Sequence, residues 1–390
     1  MIPVSMTAPS RSAALLLEFC LEHRNQMLAV LKQMVEMESP SDNKTAVDNL
    51  GAFLAREFEG LGGEVKIVPQ KKYGDHLIAE FAGSGDGKPV LLLGHFDTVW
   101  PLGTLANMPF RVEGGRAWGP GVLDMKAGIA MMMFALQALS SMGNGKHRPV
   151  TVLLDTDEEV GSESGRPVVE KAAADCVAVL VLEPAQGAEG HLKTARKGVG
   201  NFIIRVHGRA AHAGVDFEKG HSAVVELARQ VLEVAKFTEL SRGITVNPGV
   251  IRGGTRTNVV AAEAWAEVDI RVARADDARE LEHKFAALRP VDPECSLEVS
   301  GGLNRPPMER TEGTVRLFNI ARAEAKKLGM VLAESATGGG SDGNFTSALG
   351  IPTLDGLGAV GEGAHAAHES ILVEELPRRT ALLARLLESI

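Results

Sequence analysis

The chain alternates short, nearly continuous apolar runs with longer stretches whose apolar residues recur at helical spacing. From about Ser12 to Glu38 the pattern reads as helix, and Val47, Leu50, Phe53, Leu54, Phe58 and Leu61 repeat at helical intervals until Gly62 and Gly63 stop the run. Strands and helices then alternate. Val65 to Val68, His76 to Phe81 and Val90 to Leu93 read as strands, Lys126 to Met142 as a Met-rich apolar helix, and Thr151 to Leu154 and Val177 to Leu182 as strands. Runs such as VTVLL and VAVLVL have no polar face, as a sheet covered on both sides requires.

The character changes near Arg196. Strand (Asn201 to His207), helix (Ser222 to Leu240), two strands (Ile244 to Ile251, Ala264 to Val272), helix (Asp277 to Leu288) and strand (Ser296 to Ser300) follow in order. In AWAEVDIRV, apolar Ala264, Ala266, Val268, Ile270 and Val272 alternate with Glu267, Asp269 and Arg271, the period of a sheet with one buried face. The pattern predicts a compact α+β unit over 196–306, inserted into a larger α/β domain made of 1–195 and 307–390. In the last stretch a helix from about Glu312 to Leu328, a strand Pro352 to Leu354 and a helix from Val373 onward resume the first character.

A length of 390 residues fits this division, because single cores stop growing at roughly 250–300 residues. A net charge of −9 excludes nucleic acid and anionic membranes as natural partners, so an anionic substrate needs a local basic pocket. Cys20, Cys176 and Cys295 are isolated and odd in number, which fits a reducing compartment. The apolar run Ala13 to Leu17 is too short for a signal core or a membrane span, and a cytoplasmic location is the expectation. GSGDGKP, Gly83 to Pro89, lacks the spacing of a phosphate loop and precedes a strand, so it reads as a turn.

Chemistry gathers where the apolar runs end. His95 closes LLLGH, and Asp97 two residues on points the same way; the pair suits a metal-bound imidazole with its carboxylate partner, or a satisfied strand-end histidine. Asp124 lies after the turn GPG at a helix start, as a helix cap or as a carboxylate shared by two metals. Glu158 and Glu159, beside Asp155 and Asp157, are first-turn helix charges or a cluster whose repulsion calls for cations. Glu183 terminates VAVLVLE, where an unpaired buried charge is costly. GEGAHAAHE offers His365 and His368 as ligands or as surface histidines.

GHFDTV, GPGVLDMKAG, TDEEVGS, VLEP, GRAAHAG, TNVV, DIRVAR, TGGGSDG and GEGAHAAHE occur in the order found in the dinuclear zinc aminoacylase and carboxypeptidase family, and the chain resembles most its folate-cleaving glutamate carboxypeptidases. The resemblance implies a mixed-sheet α/β zinc-peptidase catalytic domain with an inserted α+β sandwich as lid and dimerisation domain. It implies one zinc on His95, Asp124 and Glu183 and a second on Asp124, Glu159 and His365, chosen over His368 because Glu369 follows it by four residues. Asp97 then orients His95, Glu158 is the general base that activates water at the zinc pair, and the peptide after Asp124 is cis.

By the same resemblance His212 polarises the scissile carbonyl in a partner subunit, Asn258 and Arg271 bind the substrate carboxylate, and Gly338, Gly339 and Gly340 let backbone approach the substrate. Taken alone, His212 reads as structural, Arg271 as a solvated strand arginine and the glycines as a mobile loop. The expected activity is hydrolysis of the amide bond to a C-terminal amino acid, glutamate foremost, in a small N-acyl or peptidyl substrate. An N-acyl amino acid deacylase (deacetylase) or dipeptidase, and more remotely a non-catalytic amino-acid binding protein, are the alternatives. Carboxylate-rich sites accept several divalent ions, so Co2+ or Mn2+ stands beside Zn2+. A homodimer is implied as well.

Overall fold

The computed structural model describes residues 11–83, 87–142 and 147–390. The first ten positions, and 84–86 within the turn expected at Gly83 to Pro89, lie outside the described residues. The chain divides into two compact units: Met1–Ala195 with Arg310–Ala336 and Ser341–Ile390, and Arg196–Glu309 with Thr337–Gly340.

The first unit is built on a six-stranded mixed sheet in the order Glu64–Val68, His76–Phe81, Val150–Asp155, Val90–His95, Ala178–Val181, Thr353–Leu354. The last four strands run parallel, and the first two form an antiparallel ribbon on one edge. Both faces are covered, which explains the uninterrupted apolar runs. Val90 and Leu92 join the larger core, whereas Leu91 and Leu93 pack with Val169, Ala173 and Cys176 on the other side. The helix Ala127–Met142 lies almost wholly inside the larger core. Lys44–Gly60 is helical because Asn43 accepts the Ala46 N–H at 3.0 Å, and it stops where Gly62 takes a φ of +87°.

The single helix expected from Ser12 to Glu38 is two, Arg11–Glu22 and Arg24–Glu36. At His23 the ring stacks on Phe19 at 3.9 Å and its Nδ1 reaches the Phe19 carbonyl at 2.8 Å, a local bond that the apolar period does not encode.

The second unit is a four-stranded antiparallel sheet in the order Thr245–Gly253, Glu263–Val272, Gly198–His207, Ser296–Arg305. Helices Ala223–Ala235 and Ala275–Ala286 cover one face, where Phe202 stacks on Phe285 at 3.9 Å and Ile204, Val268 and Ile270 are fully buried. The last strand runs five residues past the expected Ser300, to Arg305. The unit extends to Glu309 because Arg196 and Met308 exchange backbone hydrogen bonds at 3.0 Å, and it takes in Thr337–Gly340 because Lys197 donates to the Thr337 carbonyl at 3.0 Å. Cys20, Cys176 and Cys295 are all free and buried.

One buried charge ties this unit together. Glu226 Oε1 accepts from Gln230 Nε2 (2.7 Å) and the Val291 N–H (2.9 Å), and Oε2 from the Asp292 N–H (3.0 Å) and Arg229 (3.2 Å). Burial raises its pKa, but these donors outweigh burial and lower it from the ordinary glutamate value. The folded state therefore binds this proton less readily than the unfolded chain, and the stabilisation is complete above the ordinary value and lost as pH falls through the depressed one. Glu226→Gln is expected to cost roughly 1–3 kcal/mol at pH 7. The deficit should shrink on acidification, as read from urea unfolding at neutral and acid pH. A deficit independent of pH contradicts this account.

Candidate metal centre

The strands Val150–Asp155, Val90–His95 and Ala178–Val181 are parallel neighbours, so their carboxyl ends open on one edge of the sheet, where such folds present ligands to a crevice. His95 is the last residue of the central strand, Glu183 follows its neighbour by two residues, and Glu158 and Glu159 lie in the short turn Glu158–Val160. Asp124 comes from the turn that begins at Gly119, in which Gly121 has a φ of +69° and the Asp124–Met125 peptide is cis. Only glycine fits at 121, since a Cβ there would come within 2.6 Å of the Thr98 methyl. Asp124 has φ −114° and ψ 94°, and its carboxylate points at two imidazoles, so it does not cap the following helix.

His95 Nε2 is 3.3 Å from Asp124 Oδ1 and 3.3 Å from Glu183 Oε1. His365 Nε2 is 3.4 Å from Asp124 Oδ2 and 3.0 Å from Glu159 Oε2. Nδ1 of His95 faces Asp97, 3.1 Å from its carbonyl and 3.2 Å from Oδ1. Glu158 offers an oxygen within 4.8 Å of His95 and Glu183. Asp97 Oδ2 accepts from the Ser41 hydroxyl at 2.6 Å and the Glu159 N–H at 3.3 Å.

These contacts decide what the arrangement fits. With Nδ1–H of His95 donating to the Asp97 carbonyl, Nε2 faces two acceptor-only carboxylates. Such a set repels itself unless positive charge sits among the donors. Donor separations of 3.0–3.4 Å match the roughly 3.3 Å edge of a tetrahedron with metal–ligand bonds of about 2.0–2.1 Å. Glu159 Oε1 is buried with no hydrogen-bond partner among the described residues. The donor set fits divalent cations.

The titration behaviour has the same origin. Burial lowers the pKa of His95, yet Asp124, Asp97 and Glu183 raise it well above the ordinary histidine value. Asp124 and Glu159 push His365 up to about 10. Burial drives Glu159 up to about 7 against the pull of His365, whereas Asp124 is depressed by its two histidines despite burial.

His95, Asp97, Asp124, Glu158, Glu159, Glu183 and His365 are thus brought together. His368 is not among them; its ring lies over Gly363 in its own loop. The four acids after Leu154 divide. Asp157 accepts from the Ser164 N–H (2.7 Å) and hydroxyl (2.9 Å) and the Gly165 N–H (3.0 Å), closing the turn, while burial and Asp342 push Asp155 well above the usual carboxylate range.

His212, Asn258, Arg271, Gly338 and Gly339 belong to the second unit. His212 and Asn258 are exposed and adjoin through the Ala213 N–H to Asn258 carbonyl bond of 3.0 Å. Arg271 grips Asp269 through Nε (3.0 Å) and Nη2 (2.9 Å) and donates to the Gly338 carbonyl at 3.3 Å. A Cβ at Gly338 or Gly339 would meet nothing within 4 Å, so nothing in the unit itself demands glycine there.

Three further residues at the centre are buried: Ser41 and Lys126, which no motif singles out, and Glu369, which the sequence offers only as a marker for His365. Burial lowers Lys126 to about 7, and its Nζ donates to the Met37 carbonyl at 3.1 Å. The available signal was a charge inside an otherwise apolar segment, as in LDMKAGIAMMM.

A family model described as Peptidase family M20/M25/M40 matches residues 91–389. Carboxypeptidase G2 of a Pseudomonas species is 32% identical over 369 residues, covering 93% of this chain and 88% of its own. Succinyl-diaminopimelate desuccinylase of Dechloromonas aromatica is 27% identical over 80% of this chain and 86% of its own. The crystal structure of a tripeptidase from Staphylococcus aureus shares the fold with a TM-score of 0.78 at 21% identity, covering 94% of this chain and 98% of that one.

The geometry separates the two candidate histidines. His365→Ala is expected to lower the Zn2+ uptake of metal-stripped protein by about one equivalent, and His368→Ala to leave it unchanged, as measured by elemental analysis after gel filtration. The reverse order of effects contradicts the arrangement described.

Proposed function

The chain belongs to peptidase family M20/M25/M40, and from that premise we propose a dinuclear zinc hydrolase that releases a C-terminal amino acid, glutamate foremost, from small N-acyl or peptidyl substrates. The convergence of two imidazoles on the two oxygens of Asp124, with Glu183, Glu158 and Glu159 beside them, is the observation that carries the metal assignment. His95, Asp124 and Glu183 would hold one cation, and Asp124, Glu159 and His365 the other, while Asp97 would keep Nδ1 of His95 protonated so that Nε2 is the donor. When bound, the pair supplies Lewis acidity, polarising the scissile carbonyl and making water acidic enough to ionise near neutral pH. Glu158 takes the proton of the attacking water as its oxygen bonds to the carbonyl carbon. It returns a proton to the nitrogen as the C–N bond breaks.

His212 is the candidate for polarising the carbonyl at the centre of a partner subunit, and Asn258 and Arg271 for binding the substrate carboxylate, with Gly338 and Gly339 leaving room beside Arg271. The glutamate reading is supported by the order of motifs along the chain and by the likeness to a carboxypeptidase over 93% of it. A deacylase or dipeptidase reading is favoured by the likeness to a desuccinylase, and the same donors serve either reaction. Co2+ or Mn2+ suits the carboxylate-rich donors as well. The three buried free cysteines support a cytoplasmic location.

A homodimer through the second unit is supported by its edge strand Thr245–Gly253, on which Val250 and Ile251 are 38% and 57% exposed, and by Leu232, 69% exposed on the helix Ala223–Ala235. Ile251→Asp is expected to shift sedimentation toward the monomer. Identical sedimentation of wild type and variant at micromolar concentration removes this strand from the interface.

For the reaction itself, kcat/KM across N-acyl glutamates, folate-like conjugates, acetylated amino acids and dipeptides is expected to be highest for the glutamate series. Glu158→Gln should keep its metal and lose roughly 10²-fold or more in kcat. Wild-type turnover by that variant removes Glu158 as the base, and preference for acetylated amino acids favours the deacylase.

A further inference from the structure

Glu369 is fully buried, and three of the four hydrogen bonds to its carboxylate come from the turn that carries Asp124. Oε1 accepts from the backbone N–H groups of Leu123 (2.8 Å) and Asp124 (3.1 Å), and Oε2 from the Gly121 N–H (2.9 Å) and Trp100 Nε1–H (2.8 Å). Successive backbone N–H groups turned onto one anion form a nest. Here the anion belongs to the protein.

The main chain of the same residue faces both ways. Its carbonyl accepts the Gly119 N–H at 3.4 Å, and the strand it leads into, Ser370–Leu372, pairs antiparallel with Arg116–Trp118. Toward the other side, the Glu369 N–H donates to the Ala366 carbonyl and the Ala366 N–H to the Gly363 carbonyl, both at 2.8 Å, so two consecutive turns connect it to His365. His365 lies within the first of these turns in chain order with a φ of +62°, a conformation that needs such local support.

We propose that Glu369 is a positioning residue: it locks the backbone of Asp124 to the loop of His365 and so sets the spacing of the donors shared by the second cation. The inference rests on the dinuclear reading above. It assigns to a residue that touches neither cation nor substrate the task of holding two ligands, more than 200 positions apart, at the 3.4 Å separation observed. A carboxylate is required because each of its oxygens accepts two N–H groups. A glutamine keeps the shape but turns an NH2 toward two donors, and an aspartate withdraws the acceptors by one methylene.

The test uses metal-stripped full-length protein and Zn2+ alone, in competition with a chromophoric chelator, together with the absorption spectrum of the Co2+-loaded form. Wild type is expected to bind two equivalents. Glu369→Gln, with an unchanged far-ultraviolet circular dichroism spectrum before metal is added, is expected to bind Zn2+ about 10- to 100-fold more weakly and to show an altered Co2+ spectrum. Affinity and spectrum equal to wild type overturn the proposal. Should Glu369→Gln not fold, Trp100→Phe, which removes a single side-chain donor to Oε2, is expected to weaken Zn2+ binding by about two- to fivefold, and equal affinity there overturns it. A wild type that takes up no divalent metal overturns the dinuclear reading itself, so the two failures are distinct.

Discussion

Asp124 presents one carboxylate oxygen to each of two imidazoles, and the first unit is arranged around this concentration of acceptor groups. Buried charges of one sign destabilise a fold unless opposite charge stands among them. The scaffold answers by rigidity. Parallel strands fix His95, Glu158, Glu159 and Glu183 along one edge, and the Asp124 turn is gripped by Glu369 before the chain disappears into the apolar helix Ala127–Met142. Strands and helices hold such a set more precisely than free loops do.

Much of this was legible in the sequence because two periodicities carry it. Uninterrupted Val/Leu runs announce strands covered on both faces, and the acids and the histidine that end them mark the crevice. In AWAEVDIRV the alternation survives intact, with Ala264, Ala266, Val268, Ile270 and Val272 all buried beneath helices. What escaped depends on partners far away in sequence. Arg111–Glu113 and Arg116–Trp118 are strands of three residues each, meaningful only because Gly114 and Gly115 turn between them and Ser370–Leu372 pairs beside them. Thr337–Gly340 joins the second unit because the Arg196 guanidinium donates to the Gly339 and Gly340 carbonyls and the Lys197 N–H to the Thr337 carbonyl, which no local pattern records. The acids after Leu154 looked alike in the sequence, yet N–H donors claim Asp157 and burial beside Asp342 claims Asp155. Among them, Glu158 and Glu159 supply the donor atoms that converge with His95.

The likeness to a carboxypeptidase and a desuccinylase has a physical reason. Hydrolysing an amide bond makes the same demands whatever flanks it, so the donor set is reusable, and discrimination lies in groups that meet the substrate's ends. Arg271, proposed above for a substrate carboxylate, illustrates the point. Its guanidinium already binds Asp269 through two nitrogens, so a ligand carboxylate at this position has to share or displace a neutralising partner.

The three thiols have a practical use of their own. Cys20, Cys176 and Cys295 sit in three different hydrophobic clusters, and burial pushes the first two up to about 12 and about 11 and raises the third. Closed, each is a poor nucleophile. A thiol reagent added under mild denaturation would therefore register the opening of each cluster separately, making the chain a clock with three hands for the order in which its parts come undone.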